Sequence, residues 1–491
     1  MATEIELKLK LLPSAARALP GHPLLAGQAP QHRRLLNTYY DTPDLLLKKR
    51  RVALRFRKIG RQWLLTVKSA EPASGGLAVR SEWEYPAVPG VFDFAPVEAP
   101  ELRAELEAAA PSLVPIFTTD FRRSTWTVAY GESTIEVALD RGHVASQGRQ
   151  APLGEVELEL VTGKVADLFA VARELQERCH LHPSVASKAE RGYALFADEP
   201  AAAFKARPLP LTAEMTPVEA FRSIALGCLE HLQRNEEGLA KGEQPEFVHQ
   251  ARVALRRLRS ALRLFSPILP ANFVDAYGQA WRTLGTSLGT ARNWDVFVNE
   301  TLPPLLAAFP DDRSARRLAK EGRRRARSAH RAVAAMLTLP EYPRLLLEFT
   351  AALLALPDTA APTTTEFARE RLAGHARKAR QLATRHHALG AAERHQLRIR
   401  FKKLRYALEF FAPLLPPRRL KPYLAALTQL QNELGRINDH VTAEALIAEV
   451  LDSRASGPVR GWIAGRHALL LAELPEALDI WMMQKAPWKN L

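Results

Sequence analysis

The chain has 491 residues, 68 Lys+Arg against 53 Asp+Glu, a formal charge of +15, and 47% hydrophobic residues. Its length suits two to four domains, and its hydrophobic content excludes wholesale disorder. Two cysteines exclude a disulfide framework or a multi-Cys zinc site, the opening MATEIELKLK carries charges where a signal peptide needs an apolar stretch, and no run of 18 uncharged apolar residues occurs. The expectation is a soluble cytoplasmic protein.

The charge is uneven. Residues 1–200 hold 25 Lys+Arg and 25 Asp+Glu, whereas residues 201–491 hold 43 and 28, so the whole excess lies in the second part. Of those 43 cations 34 are Arg, whose planar fork suits bidentate phosphate binding.

The first part alternates with period two, punctuated by Gly and Pro: residues 4–10, 53–57, 63–68, 80–84, 124–129, 134–138 and 154–160. This pattern predicts antiparallel strands, with helices near 99–109 and 164–179. On these strands Glu4, Glu6 and Lys8 share a face, as do Arg55 and Arg57, Thr66 and Lys68, Arg80, Glu82 and Glu84, and Glu155, Glu157 and Glu159. A charged solvent face is the plain reading of any one strand. Five polar faces mixing carboxylates with cations suit a site that clamps phosphates and holds a divalent cation. The histidines His22, His32, His143, His180 and His182 lack metal-ligand spacing and are expected at the surface; Cys179 and Cys228 are expected as buried small hydrophobes.

Pro200, Pro208, Pro210 and Pro217 mark a linker, and beyond it the chain reads as helices. The predicted domains are 1–198, a Pro/Ala-rich linker at 199–214, and a helical domain at 215–491. The helical domain is duplicated, at about 215–350 and 361–491. Residues 249–270 align with 395–416 at a constant offset of 146, with 11 of 22 positions identical. At 100° per residue His249, Arg252, Arg256 and Arg259 form one stripe, and His395, Arg398, Lys402 and Arg405 form its copy. A solvated face would mix signs; these stripes carry no carboxylate, which favours an anion-binding face. Glu409 stands where the first copy has Arg263, so the second stripe is expected to be shorter.

The duplicated His-x-x-Arg-x-x-x-Arg/Lys-x-x-Arg stretches, with the elements ending at Asp295 and Asp439, resemble the CHAD family. That resemblance implies an all-helical pair of four-helix bundles that binds inorganic polyphosphate, through His249, Arg252, Arg256, Arg259, His395, Arg398, Lys402 and Arg405.

Glu4-Ile5-Glu6-Leu7-Lys8 is an ExExK motif. It is followed in order by Tyr39-Tyr40-Asp41-Thr42, Leu54-Arg55-Phe56-Arg57, Thr66-Val67-Lys68, Arg80-x-Glu82, Thr119-Asp120-Phe121-x-Arg123, Ile135-Glu136-x-x-x-Asp140, Glu155 to Glu159, and Ser187-Lys188-x-x-Arg191. This set resembles the CYTH, or triphosphate tunnel metalloenzyme, family, and the two-part architecture resembles bacterial CYTH–CHAD inorganic triphosphatases. The resemblance implies an eight-stranded antiparallel β-barrel with its active site inside. It implies triphosphate binding by Lys8, Arg55, Arg57, Lys68, Arg80, Arg123, Lys188 and Arg191. Mg²⁺ or Mn²⁺ would be held by Glu4, Glu6, Glu157 and Glu159, with Glu155 less certain. Lys8 and these glutamates would be catalytic, and Glu82, Glu136 and Asp140 supporting. Arg123 rather than its neighbour Arg122 is expected inside.

The implied reaction is metal-dependent hydrolysis of triphosphate to diphosphate and phosphate. The alternatives are a polyphosphate-binding, granule-associated protein with a decayed barrel, or another CYTH activity such as an adenylyl cyclase or a thiamine or nucleoside triphosphatase. Nucleic-acid binding through the helical part is disfavoured by the lack of an aromatic stacking platform, and no membrane partner is expected.

Overall fold

The structure, a computed structural model, describes residues 2–11, 13–70, 75–198, 201–242, 244–358, 362–385, 389–451 and 457–490. It divides into two compact units: residues 1–202 with 339–355, and residues 203–338 with 356–491.

The first unit is built on β1 (Ala2–Leu11), β2 (Gln31–Asp41), β3 (Val52–Ile59), β4 (Gln62–Ala70), β5 (Leu77–Pro86), β6 (Val114–Tyr130), β7 (Ser133–Ser146) and β8 (Arg149–Thr162). They pair antiparallel in the order β5-β4-β3-β2-β6-β7-β8-β1, and β1 pairs back to β5, closing an eight-stranded barrel. A short β9 (Leu181–Pro183) adds to β1 at Leu9–Leu11.

Alternation places one residue of each pair inside and the next outside. The outside is apolar. Leu7, Leu9, Val137, Leu139, Val156 and Leu158 are buried beneath Leu168, Val171, Ala172 and Leu175 of the helix Val165–Gln176. Leu347, Ala351 and Leu354 of the helix Glu341–Leu354 join the same core. That helix lies, in sequence, inside the stretch assigned to the first helical repeat, and in space it belongs to the barrel. On the other wall Leu54, Phe56, Leu65, Val67 and Trp83 pack with Phe94, Val97 and Leu106. Both faces of these strands are thus buried, one by helices and loops, the other by the barrel itself.

The helix Lys188–Ala197 starts at a capping box made by Ser187 and Glu190. Its Tyr193 packs among Leu35, Tyr39, Phe117, Phe121, Val144 and Leu153, so this end of the barrel interior is apolar. Gly192 lets the helix approach: a Cβ there would lie 2.1 Å from the Phe117 ring. One surface expectation fails. His22 is buried because its Nδ1 accepts from the Leu24 N–H (3.3 Å) and its Nε2 faces the Glu174 carbonyl (3.2 Å).

The second unit repeats one four-helix plan. The helices Pro217–Gln233, Pro245–Phe265, Ala271–Val296 and Arg313–Thr338 are followed by Thr364–Ala383, Ala391–Phe410, Pro417–Ala448 and Gly457–Met482. The first helix of each set opens with the same capping box, Thr216 with Glu219 and Thr363 with Glu366. Repeat-related phenylalanines meet in the core: Phe265 lies 5.5 Å from Phe221, 4.9 Å from Phe367 and 5.8 Å from Phe411 between ring centroids. Arg257 and Glu409 form an ion pair between the two copies at 2.5 Å. Among the described residues no helix is long and apolar enough to cross a membrane.

Gly192→Ala is expected to lower barrel stability by about 1–3 kcal/mol, because the added methyl overpacks the Phe117 contact. Urea denaturation followed by tryptophan fluorescence measures it.

Candidate active site and basic groove

Register decides which charges meet inside the barrel. Glu6 lies opposite Glu159, and Glu159 opposite Glu136, giving a row of three carboxylates across β1, β8 and β7. Lys8 lies opposite Glu157, and Glu155 opposite Asp140, which in turn faces Arg123. Lys8, Arg55, Arg57, Lys68, Arg123, Lys188 and Arg191 each stand within 4.0 Å of a carboxylate.

Two clusters result. In the first, Lys188 Nζ contacts Asp140 (2.8 Å), Glu157 (2.9 Å) and Glu155. Arg123 donates twice to Asp140 (2.8 and 2.7 Å) and once to Glu157 (2.5 Å). Lys8 stands 3.1 Å from Glu6 and 3.5 Å from Glu157, and Arg191 stands 3.3 Å from Glu155. Arg122, one residue along, is exposed. In the second cluster Lys68 bridges Glu4 (2.8 Å) and Glu82 (2.7 Å). Arg57 donates to Glu84 (2.9 Å) and Asn37 (3.0 Å), and Arg55 donates to the Tyr39 hydroxyl (3.1 Å) and faces Glu82 at 3.8 Å. Arg80 lies on β5 opposite Glu4 in register; its side chain is outside the described residues.

Three further side chains, given no site role by the sequence, complete this site. Glu84 anchors Arg57 and accepts from Thr66 (2.7 Å), Asn37 ties Arg57 to Thr119 (2.9 Å), and Tyr39 orients Arg55. Glu84 shares the inward parity of Glu82 and was legible on that ground. Tyr39 opens the Tyr39-Tyr40-Asp41-Thr42 motif, whereas Asn37 carried no such signal.

The electrostatics separate the glutamates. Burial pushes the Glu157 carboxyl up, but Lys188, Lys8 and Arg123 overcome it and hold the group well below the usual range. Glu159 goes the other way. Burial, and then repulsion from Glu4 and Glu136, raise it to about 7. Glu157 therefore sits with the cation-clamped set; with Asp140 and Glu155 it offers three oxygens within 4.8 Å of one another, already shared with Lys188 and Arg123. The carboxylates around Glu159 repel instead, and such a surplus of hard oxygen donors fits a divalent cation. Of the residues expected as metal ligands, Glu4, Glu6 and Glu159 stand on this side with Glu136, whereas Glu157 stands in the cation-clamped cluster.

In the helical unit the two stripes converge. His249, Arg252 and Arg256 from one copy and His395 and Arg398 from the other line a single cleft of about 330 Å³, with Arg292, Asn293, Asn438 and Asp439. Crowding shows in the titration: burial, then Arg256 and Arg398, push Arg252 down to about 10, and burial, then Arg256 and Arg398, push Lys402 down to about 6. Arg259, Lys402 and Arg405 stand outside this cleft lining, Arg405 reaching Glu409 at 3.2 Å. Asp439 is the acidic group in the cleft, and its partner position Asp295 is bound to His330 at 2.8 Å.

Residues 2–193 match the CYTH domain family and residues 223–448 match the CHAD domain family. The chain is a CYTH domain followed by a CHAD domain. An inorganic triphosphatase from Haemophilus influenzae is 37% identical over 204 residues, which are 40% of this chain and 55% of that relative, so little more than half of the relative's length is spanned. The CHAD domain of Ricinus communis superposes with a TM-score of 0.54 at 35% identity, covering 58% of this chain and 98% of that one. A Hippeastrum protein described as an adenylyl cyclase with a dominant triphosphatase activity covers 40% of this CYTH–CHAD chain and 97% of its own, at 21% identity; its TM-score of 0.32 gives it no weight.

The Glu159 shift has a stability consequence. Its carboxyl ionises near 7 when folded and near 4.5 when not, so folding takes up a proton between those values and stability falls as pH rises through that window. In EDTA, the melting temperature of Glu159→Gln relative to the natural chain is expected to rise between pH 5 and pH 8, and millimolar Mg²⁺ is expected to narrow the gap at pH 8.

Proposed function

We propose that the CYTH barrel hydrolyses inorganic triphosphate to diphosphate and phosphate with a divalent cation, Mg²⁺ or Mn²⁺, and that the CHAD domain binds inorganic polyphosphate. The observation that carries the first part is the closed barrel whose interior sets Lys8, Arg55, Arg57, Lys68, Arg123 and Lys188 among carboxylates. The Haemophilus influenzae inorganic triphosphatase, 37% identical over 204 residues, supports the same substrate.

Arg55, Arg57 and Lys68 approach from β3 and β4, and Lys8, Arg123 and Lys188 from β1, β6 and the helix Lys188–Ala197. A triphosphate threaded between them exchanges its oxygens for the carboxylates these cations now hold, so binding does not bring bare charges together. A divalent cation among Glu4, Glu6, Glu136 and Glu159 would screen phosphate oxygens and acidify water. Glu136 and Glu159 then orient a water in line with the terminal phosphorus and accept its proton. The new P–O bond forms as the bond to the bridging oxygen breaks, and diphosphate leaves with the electron pair, its charge met by the arginines.

With Mg²⁺ the full-length protein is expected to release phosphate from triphosphate, and Glu4→Gln with Glu6→Gln to lower kcat by about 10²-fold or more. ATP tested in parallel separates a triphosphatase from an adenylyl cyclase by the product, phosphate or cyclic AMP; unchanged rates in the double variant would overturn the assignment.

For the CHAD domain, the cleft shared by the two stripes supports polyphosphate as ligand. Arg252→Ala with Arg398→Ala is expected to weaken polyphosphate binding to the full-length protein and to flatten its salt dependence by about one unit of slope per cation removed. Titrations at several salt concentrations, with RNA as competitor, measure both.

A further inference from the structure

The outer wall of the barrel changes character along β6. Trp126 and Val128 are buried in the apolar cover, but two turns of the pleat earlier the outward position is Arg122, and it is exposed. Register sets Arg122 opposite Arg34 of β2 on one side and opposite Arg141 of β7 on the other. Three arginines therefore stand in a row across three adjacent strands. Side chains in this relation are about 5 Å apart at Cβ, and like charges so placed destabilise a sheet. Asp120 neutralises Arg34 alone, through two hydrogen bonds of 3.0 and 2.6 Å. Among the described residues neither Arg122 nor Arg141 has a carboxylate partner.

The surface is also shaped. Gly142 follows Arg141, and a Cβ there would lie 2.1 Å from the Asp120 carbonyl oxygen and 2.5 Å from the Phe121 Cα, so β7 is pressed onto β6 at this point. His143, opposite Asp120, and His32, bonded to Ser124 at 2.9 Å, flank the arginine row. Together these residues line a shallow cavity of about 360 Å³.

We propose that this cavity is a second anion site, separate from the barrel interior, and that it binds a condensed phosphate. Arg122 and Arg141 offer adjacent guanidinium forks to one phosphate group, while Arg34 and His143 reach the next. A nucleotide is a poorer fit. Phe121, the aromatic ring at the cavity, is 2% exposed and presents no face on which a base could stack. The same chemistry is offered by free diphosphate and by the end of a longer polyphosphate, and the test separates them.

The test is hydrogen exchange on the full-length protein in EDTA, following residues 31–34, 120–124 and 139–144. Inorganic diphosphate, polyphosphate and sulfate are each added at matched ionic strength. The expected result is exchange slowed by about threefold or more in these segments by a condensed phosphate and not by sulfate. Protection by diphosphate identifies a small free ligand, and protection by polyphosphate alone a chain end. Arg122→Gln with Arg141→Gln should abolish the protection, melt no lower than the natural chain without anion, and keep triphosphate hydrolysis within about twofold. Equal protection by sulfate, protection that survives in the double variant, or no protection by either condensed phosphate would overturn the proposal.

Discussion

A closed barrel cannot bury charge of one sign. Moving a single ion out of water costs several kcal/mol, and unpaired like charges in a confined interior would add mutual repulsion to that cost. The CYTH barrel meets this constraint by register: strands carrying Lys or Arg inward are paired with strands carrying Asp or Glu inward, so that Lys188, Arg123, Lys68 and Arg57 each end on a carboxylate. The zero net charge of residues 1–200 is in keeping with this arrangement. The apolar outer wall follows from it, because strands whose inner face is given to charge must find their hydrophobic core on the outside, beneath helices. The departures from pairing are informative. Where carboxylates outnumber cations, around Glu159, burial and repulsion favour a bound proton.

The CHAD domain solves a different problem with the opposite means. Its cleft gathers cations from both copies around one carboxylate, Asp439, and burial lowers the proton affinity of Arg252 and Lys402. What permits this crowding is the core behind it. The stacked set of Phe221, Phe265, Phe367 and Phe411 joins equivalent points of the two repeats and fixes the two stripes against one another. Duplication thus turned a one-helix stripe into a two-sided groove, which no single copy could form.

Much of this was legible from alternation alone. Strand parity assigns Arg55, Arg57, Lys68, Glu82 and Glu84 to one face and Leu54, Phe56, Val67 and Trp83 to the other, and helical angles place His249 with Arg252 and Arg256. What parity cannot give is register, which depends on hairpin lengths and on a closure between β1 and β5, whose paired residues lie 70 or more positions apart. Hence the division of the glutamates, with Glu157 among cations and Glu159 among carboxylates, was hidden, although both share one face of β8. The roles of neutral polar residues were hidden for another reason: Asn37 looks like an ordinary strand residue, and Tyr39 and Thr119, although part of recurring motifs, show no role until an arginine or its partner is seen against them. His22 was misread because its partner, the Glu174 carbonyl, lies 152 positions away.

The helix Glu341–Leu354 closes the outer wall over β1 and the helix Val165–Gln176, yet about 140 residues of CHAD sequence separate it from the last part of the barrel. During synthesis the barrel strands are all available by residue 162, but the apolar surface around Leu7, Val171 and Leu175 stays without its final cover until residue 355 has left the ribosome. At 5–20 residues per second that interval is roughly ten to forty seconds. The barrel is encoded first and completed last, after the first four long helices of the CHAD domain have already been made.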